Sequence, residues 1–375
     1  MKESCTESRE LTSKPKVLMY YSYGNKIGGP LTYINTLIDS KLKEKYNFVT
    51  CYQNKAPGGL DMTLLRDMVK AIKAENPDIV HVHGAQSEGF YGAVAAKLAG
   101  CKHIIMTIHG FAFDDSNCTG IKHFLYQNIV EPLSLKLSDS VYCVCKHASE
   151  RDIVVENTGK RNCGYIHNPV PEISASVSRE SVREQYHIRE NDVVFAISAR
   201  VTKEKGFDIL VDTVKMLNAQ GVNNFKLMVL GNGLYYDEFC TRMHDEIQQG
   251  QVIMIGQTNK VADYLNACDA FVFPSYHENL SIAILEAGYC GLPGVVSDVG
   301  GNGEIIKDRE TGFLIKEFSP EAYANKISEL INNKELLKTM QIAIRKDIVD
   351  RFSLSYICEQ VDEVYMNELC KERKH

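Results

Sequence analysis

The sequence predicts an α/β protein of two domains, each built around a parallel β-sheet covered by helices. Short apolar runs typical of buried strands alternate with helical patterns along most of the chain, as at residues 78–84, 91–99 and 102–109. Glycine turns follow several of these runs, as they do where a strand feeds a helix in a doubly wound sheet. Such sheets bind ligands beyond the carboxyl ends of their strands, so polar residues at those ends are the candidates for a functional site.

The length of the chain favours two domains. Its 375 residues exceed the size at which a single hydrophobic core usually stops growing. Asn168, Pro169 and Val170, followed by polar residues, have the composition of a linker. We therefore expect a first domain at residues 1–170 and a second domain at residues 171–352, followed by a last helical segment that begins near residue 353.

The composition is that of an ordinary globular protein. Hydrophobic residues make up 44%, charged residues 24%, and the formal net charge is −6. No run approaches 18 apolar residues, and the polar N-terminus lacks the apolar core of a signal peptide. Without such a signal, the 12 cysteines are expected to be reduced thiols. These observations predict a cytoplasmic protein and argue against a membrane-spanning one.

The first predicted strand, near residues 16–22, runs into a loop that contains glycines. Gly28 and Gly29 lack side chains and would let the backbone approach a ligand closely, although a plain flexible turn explains them equally well. No G-x-G-x-x-G pattern follows the strand, so the fingerprint of nicotinamide and flavin cofactors is absent.

Histidines lie at the ends of two other predicted strands of the first domain. His83 and His109 fall at the carboxyl edge of the sheet, where each could face a ligand or be a satisfied polar residue. His81 alternates with His83 along one strand, as Cys143 does with Cys145 along another. A zinc site from these side chains is conceivable, but neither pair has C-x2-C spacing and both strands are predicted to be buried. No metal is therefore predicted.

A basic turn follows the first strand of the second domain. Arg200 and Lys205 fall near the carboxyl end of that strand, and two cations there would neutralise a pyrophosphate. For this segment alone, a solvated basic turn is the simpler explanation. The next strand ends in Gly231 and Gly233, a turn at which backbone contacts to a nucleotide are expected.

The richest pattern in the sequence is a strand, a polar corner and a helix in the second domain. The helix is predicted to begin near Asn279, with Glu278 just before it and Glu286 in its second turn. The backbone N–H groups of Asn279, Leu280 and Ser281 at the helix start would form an anion site. Carboxylates beside an anion site suit a ligand that also offers hydroxyl groups, as a sugar diphosphate with a ribose does.

This pattern resembles the E-x7-E signature of the retaining GT-B glycosyltransferases, the group 1 enzymes of glycosyltransferase family four. Glu278 and Glu286 have the spacing of that signature. Further residues fall where the signature has them, namely Leu285, Ala287, Gly291, Leu292, Pro293, Asp298, Val299, Gly300, Gly301 and Glu304. The resemblance extends over most of the chain, with Arg200 and Lys205 at the family's R-x4-K-G spacing and His109 in a similar T-x-H-G context.

The resemblance implies the GT-B fold, in which two Rossmann-like domains face each other and the active site lies in the cleft between them. It also implies that a C-terminal helix crosses back to the first domain. The segment at about residues 353–375 would then belong with residues 1–170, which bind the acceptor. Residues 171–352 would bind the nucleotide sugar.

The resemblance further implies roles for the candidate residues. Arg200 and Lys205 would stabilise the departing diphosphate, and His109 would lie near the donor sugar. Glu286 would accept hydrogen bonds from ribose hydroxyls and Glu278 from the sugar ring, so that neither glutamate needs to be a nucleophile. Front-face attack and double displacement both remain open. The remaining donor-binding residues would be Asn279, Leu280, Ser281, Gly231, Gly233, Gly28 and Gly29.

The function expected from this resemblance is retaining transfer of a sugar from a UDP-sugar to a glycan or lipid-linked acceptor in cell-surface polysaccharide or glycolipid synthesis. No cofactor is expected beyond the nucleotide-diphosphate sugar, which is a co-substrate. The sequence has no D-x-D motif, so it gives no indication of a metal. No nucleic-acid partner is expected. In membrane-associated members of the family, the neighbourhood of the helix predicted at residues 121–136 approaches lipid. Peripheral contact with the inner face of a membrane is therefore an expectation for the first domain.

Two other classes of function remain open. Nucleotide-sugar 2-epimerases share the fold, although their catalytic acids lie outside the pattern matched here. A bilobed protein could also bind a nucleotide sugar without catalysis, although the paired cations and glutamates argue against it. The sequence also departs from the family pattern at Asn279, where glycine is common, and at Tyr289 and Cys290, which replace a pair of small residues. These departures leave the identity of the donor sugar open.

Overall fold

The described part of the chain forms two parallel β-sheets of six strands each. The computed structural model describes residues 14–22, 29–53, 61–114, 118–171 and 173–371. The strands of the first sheet are β1 (Lys16–Ser22), β2 (Asn47–Gln53), β3 (Ile79–His83), β4 (His103–Ile108), β5 (Ser140–Cys143) and β6 (Asn162–Tyr165). Those of the second sheet are β7 (Val193–Ser198), β8 (Phe225–Leu230), β9 (Val252–Gly256), β10 (Ala270–Phe273), β11 (Gly294–Ser297) and β12 (Gly312–Ile315).

Helices connect the strands in both halves. In the first half they are α1 (Gly29–Asp39), α2 (Met62–Glu75), α3 (Ser87–Ala99), α4 (Gly120–Leu125), α5 (Glu131–Leu137), α6 (Lys146–Ser149) and α7 (Asp152–Thr158). In the second half they are α8 (Arg179–Gln185), α9 (Phe207–Ala219), α10 (Tyr236–Arg242), α11 (His244–Gln248), α12 (Val261–Ala267), α13 (Ile282–Tyr289), α14 (Asn302–Ile305), α15 (Pro320–Asn332) and α16 (Lys334–Phe352). The last helix is α17 (Leu354–Lys371). None of the helices in the described ranges is both long enough and apolar enough to cross a membrane.

The strand order creates a crevice in each sheet. The order is β2-β1-β3-β4-β5-β6 in the first sheet and β12-β11-β10-β7-β8-β9 in the second. The direction of winding therefore changes between β1 and β3 and between β7 and β10. Loops that follow strands at such a switch point diverge, and the gap between them is where doubly wound sheets bind ligands.

The strands form where the sequence has continuous apolar runs, as predicted. Every residue of β3, β4, β8 and β10 is buried, as expected for parallel strands covered on both faces. The two histidines of β3, His81 and His83, are therefore buried with the apolar residues around them. This burial controls their chemistry in the site described below.

The last helix crosses back to the first half, as expected from the resemblance. Apolar residues of α17, among them Ile357, Val361 and Tyr365, belong to one buried cluster with residues of β1 and α1. Polar contacts flank this cluster, since the Tyr46 hydroxyl donates to Asp362 over 2.8 Å and Lys41 pairs with Glu359 over 3.0 Å. Helix α17 is thus part of the core of the first half.

Three helical segments depart from a simple continuous pattern. Residues 320–352 form two helices rather than one, because Asn333 leaves the helical conformation and its side chain caps α16 by accepting from the Leu336 amide. Pro132 does not interrupt the path from α4 to α5. A π-helical turn at Tyr126–Val130 precedes it and joins the two helices. The third difference is the start of α13 at Ile282 rather than near Asn279, which changes the candidate site.

Candidate functional site

The centre of the site is an ion pair between loops that follow β7 and β10. The Lys205 Nζ atom lies 2.6 Å from Glu278 Oε1, and the Ser275 hydroxyl donates to the same oxygen over 2.8 Å. Both charged side chains are largely buried, with 16% of Lys205 and 10% of Glu278 exposed. The structure therefore brings together two of the predicted catalytic residues and adds Ser275, which the sequence did not single out.

Backbone packing fixes this pair. Lys205 ends a 3-10 turn at Lys203–Lys205, and Gly206 then takes a left-handed conformation with φ of 73°. A Cβ atom on Gly206 would come within 1.9 Å of the carbonyl oxygen of Pro274, at the end of β10. Only glycine permits this approach, and the approach holds the basic turn against the loop that carries Glu278.

Arg200 lies on the same basic turn but not in the ion pair. Its side chain is 72% exposed, and among the described residues its ion-pair partner is Glu204, at 3.9 Å. The turn that contains Gly231 and Gly233 packs closely on this segment. A Cβ atom added to Gly231 would come within 1.8 Å of the Ala199 carbonyl oxygen, and one added to Gly233 would come within 2.5 Å of the Val201 carbonyl oxygen. The predicted glycine turn and the predicted cation are thus neighbours, and the guanidinium remains accessible.

Asn279, Leu280 and Ser281 precede α13, so the prediction that their N–H groups form its first turn is wrong. Helix formation is delayed because the loop is tied elsewhere. The Asn279 carbonyl accepts from the Gly301 amide over 2.7 Å, and the Leu280 carbonyl accepts from the Asn168 side chain over 3.5 Å. Ser281 is instead the N-cap, whose hydroxyl accepts from the Ile284 amide.

Glu286 lies within α13 and is half-buried. Burial raises its pKa to about 7, because a carboxylate loses hydration in this environment. Its carboxylate forms no hydrogen bond or ion pair with the residues that the structure describes. A partly buried acid with open hydrogen-bonding capacity is suited to a ligand that offers hydroxyl groups.

His109 directly follows β4 and pairs with another histidine. Its Nε2 atom lies 3.2 Å from His83 Nδ1, and burial lowers the pKa of His109 to about 3. The imidazole is therefore neutral near pH 7 and cannot supply a positive charge. Both histidines line a cavity of about 260 Å³ that Pro30 and Leu31 of α1 also line. Gly29 is the first residue of α1, whereas Gly28 lies outside the described residues.

The two halves meet at this edge of the sheets. A Cβ atom on Gly110, next to His109, would lie 2.9 Å from the side-chain nitrogen of Asn279. A second contact crosses nearby, where His277 Nε2 lies 3.5 Å from Asp114 and Arg151 holds that carboxylate with two hydrogen bonds. The predicted residues of the first half therefore face those of the second half across one cleft.

Glu304 joins the halves at a second point, which the sequence did not predict. Its carboxylate accepts from the backbone N–H groups of Lys146 and His147, each over 2.9 Å, and lies 2.8 Å from His167 Nε2. Burial alone would raise the pKa of Glu304, but these hydrogen bonds lower it below its usual value. The carboxylate thus caps the first turn of α6 from the opposite half. The sequence marked Glu304 only as a residue of the signature. Its role depends on a contact with α6, which is distant in the sequence and which no local pattern predicts.

The chemistry available to the cleft follows from these groups. Lys205 and Arg200 can neutralise an anion, Glu278 and Glu286 can accept hydroxyl donors, and His109 is a neutral polar group. Within the described ranges, no group of three or more His, Cys, Asp or Glu side chains is placed to hold a metal ion. The four side chains considered for zinc do not form such a group, and His81 instead bonds to Tyr365 and Thr107.

Known proteins share both the sequence pattern and the fold. The family described as "Glycosyl transferases group 1" matches residues 178–347, and the family described as "Glycosyl transferase 4-like" matches residues 34–144. The UDP-Gal:alpha-D-GlcNAc-diphosphoundecaprenol alpha-1,3-galactosyltransferase of Escherichia coli is 25% identical over 314 residues, which cover 82% of this chain and 80% of that protein. The capsular polysaccharide biosynthesis glycosyltransferase CapM of Staphylococcus aureus is 25% identical over 83% of this chain and 82% of its own length.

Solved structures show the same architecture. The crystal structure of HepE from Anabaena in complex with UDP and glucose superposes with a TM-score of 0.77 at 18% identity, covering 94% of this chain and 99% of that one. The sucrose-phosphate synthase of Thermosynechococcus elongatus superposes with a TM-score of 0.72 at 17% identity, covering 94% and 99%. Two facing sheets, a cleft between them and a helix that crosses back make this the GT-B fold. The chain belongs to the group 1 glycosyltransferases, the hexosyltransferase-type enzymes of that fold that act on nucleotide sugars.

Proposed function

We propose that this enzyme transfers a hexosyl group from a UDP-sugar to a glycan or lipid-linked acceptor, with retention of the anomeric configuration. The observation that carries the proposal is the Lys205–Glu278 pair, a largely buried cation and carboxylate on the loops that follow β7 and β10. The names of two similar proteins support the substrate classes. The Escherichia coli enzyme is named for UDP-Gal and a diphosphoundecaprenol acceptor, and HepE was crystallised with UDP and glucose.

The cations would act on the leaving group. Arg200 is exposed and can turn toward a diphosphate, whereas Lys205 must share its charge between the phosphates and Glu278. Charge that develops on the departing diphosphate would strengthen both interactions in the transition state, and such stabilisation is usually the largest catalytic contribution. Two cations in these positions support transfer without any cofactor beyond the nucleotide sugar.

The carboxylates and His109 would hold the sugar and the ribose. Glu278 would accept from ring hydroxyls once Lys205 also contacts the phosphates, and Glu286 would accept from the ribose diol. Neutral His109 would hydrogen-bond the donor sugar without adding charge. The loop of Asn279, Leu280 and Ser281 lies at the same cleft, as does the start of α1 at Gly29. None of these roles requires an enzyme nucleophile.

The two halves would bind different substrates. We assign donor binding to residues 171–352, which carry the ion pair and the glycine turn. We assign acceptor binding to residues 1–170 together with residues 353–375, because the cavity beside His83 and His109 lies in that half and α17 packs into its core.

An exposed apolar segment of the first half would contact a membrane. Large apolar side chains on the path from α4 to α5 are exposed, with Ile121 at 81% and Phe124 at 60%; the others are Leu125, Ile129 and Leu133. Lys122 and Lys136 flank them and would favour anionic lipid headgroups. Such a contact suits an enzyme of the cytoplasmic face that acts on a lipid-linked acceptor.

The direct test of the proposed activity is turnover of a panel of UDP-sugars, with GlcNAc-diphosphoundecaprenol as the first acceptor. We expect UDP release with at least one donor and a product whose anomeric configuration, read by NMR, matches that of the donor. An inverted product would contradict retention. Epimerisation of the donor without UDP release would identify a 2-epimerase, and UDP binding without any turnover would identify a binding protein.

Replacing Lys205 with Met should weaken UDP binding by about 10- to 100-fold, because a hydrogen bond to a charged group contributes about 1.5–3 kcal/mol. Calorimetric titration with UDP measures the change. Lys203→Met is the matched control, since Lys203 lies two residues earlier and is 62% exposed. Equal UDP affinity in the wild type and in Lys205→Met, with both folded, would contradict the assignment of the diphosphate site.

Affinity for UDP-glucose should rise about tenfold between pH 6 and pH 8. The pKa of Glu286 is about 7 because of burial, and the ionised carboxylate accepts the ribose hydroxyls better than the protonated acid. The diphosphate diester of UDP-glucose does not titrate in this range, so the protein supplies the pH dependence. In Glu286→Gln the affinity should be lower at pH 8 and nearly independent of pH. An unchanged pH dependence in this variant would show that another group is responsible.

Membrane contact predicts that the protein floats with vesicles that contain anionic lipid, and that Phe124→Glu reduces the bound fraction by about tenfold or more. Burying one phenylalanine side chain contributes about 1.5–3 kcal/mol. The matched control is Ile342→Glu, because Ile342 is 65% exposed on α16 in the other half. Equal loss in both variants, or no flotation of the wild type, would contradict the assignment of this surface.

A further inference from the structure

A buried row of polar rings connects the C-terminal helix to the cleft. At its far end the Tyr365 hydroxyl, on α17, lies 2.7 Å from His81 Nδ1. The other ring nitrogen of His81, Nε2, lies 2.7 Å from the Thr107 hydroxyl. Tyr365, His81 and Thr107 have no exposed surface. Both nitrogens of His81 thus have buried hydrogen-bond partners.

The row continues through a second histidine to the cleft. The ring of His83 packs on that of His81, with centroids 4.2 Å apart and planes inclined by 32°. His83 Nδ1 then bonds to His109 Nε2 over 3.2 Å. The Nε2 atom of His83 is buried and has no hydrogen-bond partner among the described residues. The bond to His109 is therefore the polar contact that fixes the His83 ring.

Burial keeps the histidine rings of this row neutral, so hydrogen bonds decide which ring nitrogen carries the proton. Burial lowers the pKa of His81 to about 3 and that of His83 well below its usual range, so both rings are neutral near pH 7. A neutral imidazole has one donor and one acceptor nitrogen, and its neighbours decide which is which. Because His109 uses Nε2 toward His83, its Nδ1 is the ring nitrogen left for a ligand, and the state of that atom depends on His83.

We infer that His83 is a positioning residue that fixes the orientation and tautomer of His109, and that α17 holds this pair in place through Tyr365 and His81. The inference rests on the proposed function, in which His109 contacts the donor sugar. It adds that residues remote from the donor influence turnover. It also gives the crossing helix a role at the site besides packing, because its tyrosine orients the first ring of the row.

The neutrality of the pair also bears on what the cavity accepts. Two uncharged imidazoles beside Gln86 and Glu88 offer no positive charge to a phosphate. Pro30 and Leu31 also line the cavity and offer apolar contact. Such a lining fits a sugar ring, with hydroxyls on the polar side and C–H groups on the apolar side.

His83→Phe tests the positioning role, because it keeps a ring of similar shape and removes the bond to His109. We expect kcat/KM for the UDP-sugar to fall about three- to tenfold, the equivalent of one hydrogen bond, while Kd for UDP alone stays within about twofold. His83→Asn places an amide near the position of Nδ1 and should recover much of the loss. A wild-type kcat/KM in His83→Phe would overturn the inference, as would an equal loss of UDP and UDP-sugar affinity.

Tyr365→Phe tests the contribution of the helix with a smaller change that preserves packing. The ¹⁵N imidazole signals of His109, assigned by difference from His109→Gln, should shift in Tyr365→Phe and in His83→Phe. Tyr356→Phe is the matched control on the same helix, because Tyr356 is 47% exposed, and it should leave the signals unchanged. Unshifted His109 signals in Tyr365→Phe would overturn the role of α17. Absence of UDP-sugar turnover in the wild type would refute the proposed function instead, and the NMR comparison does not depend on turnover.

Discussion

The strand order of the second sheet is the constraint on which the site depends. Lys205 and Glu278 are 73 residues apart in sequence, yet β7 and β10 are neighbours in the sheet. The loops after these strands therefore leave the sheet side by side, and the glycine at position 206 lets them touch. A parallel sheet with its switch point elsewhere would separate the cation from the carboxylate, whatever the spacing of the motifs along the chain.

The first sheet contributes to the cleft by the same principle. β3 and β4 are paired, so His83 and His109 emerge at one edge and bond to each other. That edge faces the second half, where Gly110 meets Asn279 and Asp114 meets His277. Glu304 adds a contact in which a side chain of one half caps a helix of the other. The facing edges are thus held by several small polar contacts as well as by the crossing helix.

The two sides of the cleft differ in charge, because the buried groups of the second half are paired ions and those of the first half are neutral histidines. Lys205 and Glu278 are charged and paired, so their desolvation is offset by the partner and by Ser275. His81, His83 and His109 are neutral near pH 7, because burial lowers the pKa of each ring. Charge for a diphosphate therefore comes from the second half, and uncharged polar groups for sugars come from the first. This separation supports the assignment of donor phosphates to one side of the cleft and sugar rings to both.

The sequence by itself determined the α/β class, the two parallel sheets and the family, because continuous apolar runs, glycine turns and the E-x7-E spacing are local patterns. It also identified Lys205 and Glu278, which the structure pairs, and the crossing helix, which the resemblance implied. The start of α13 was misplaced, because the carbonyls of Asn279 and Leu280 are tied to Gly301 and to Asn168. Only the tertiary structure decided that Ser275 supports Glu278, that Glu304 joins the halves, and that Tyr365 reaches toward His109 through two other rings. Those contacts join segments as many as 284 residues apart, and local sequence patterns carry no information about which distant segments will meet.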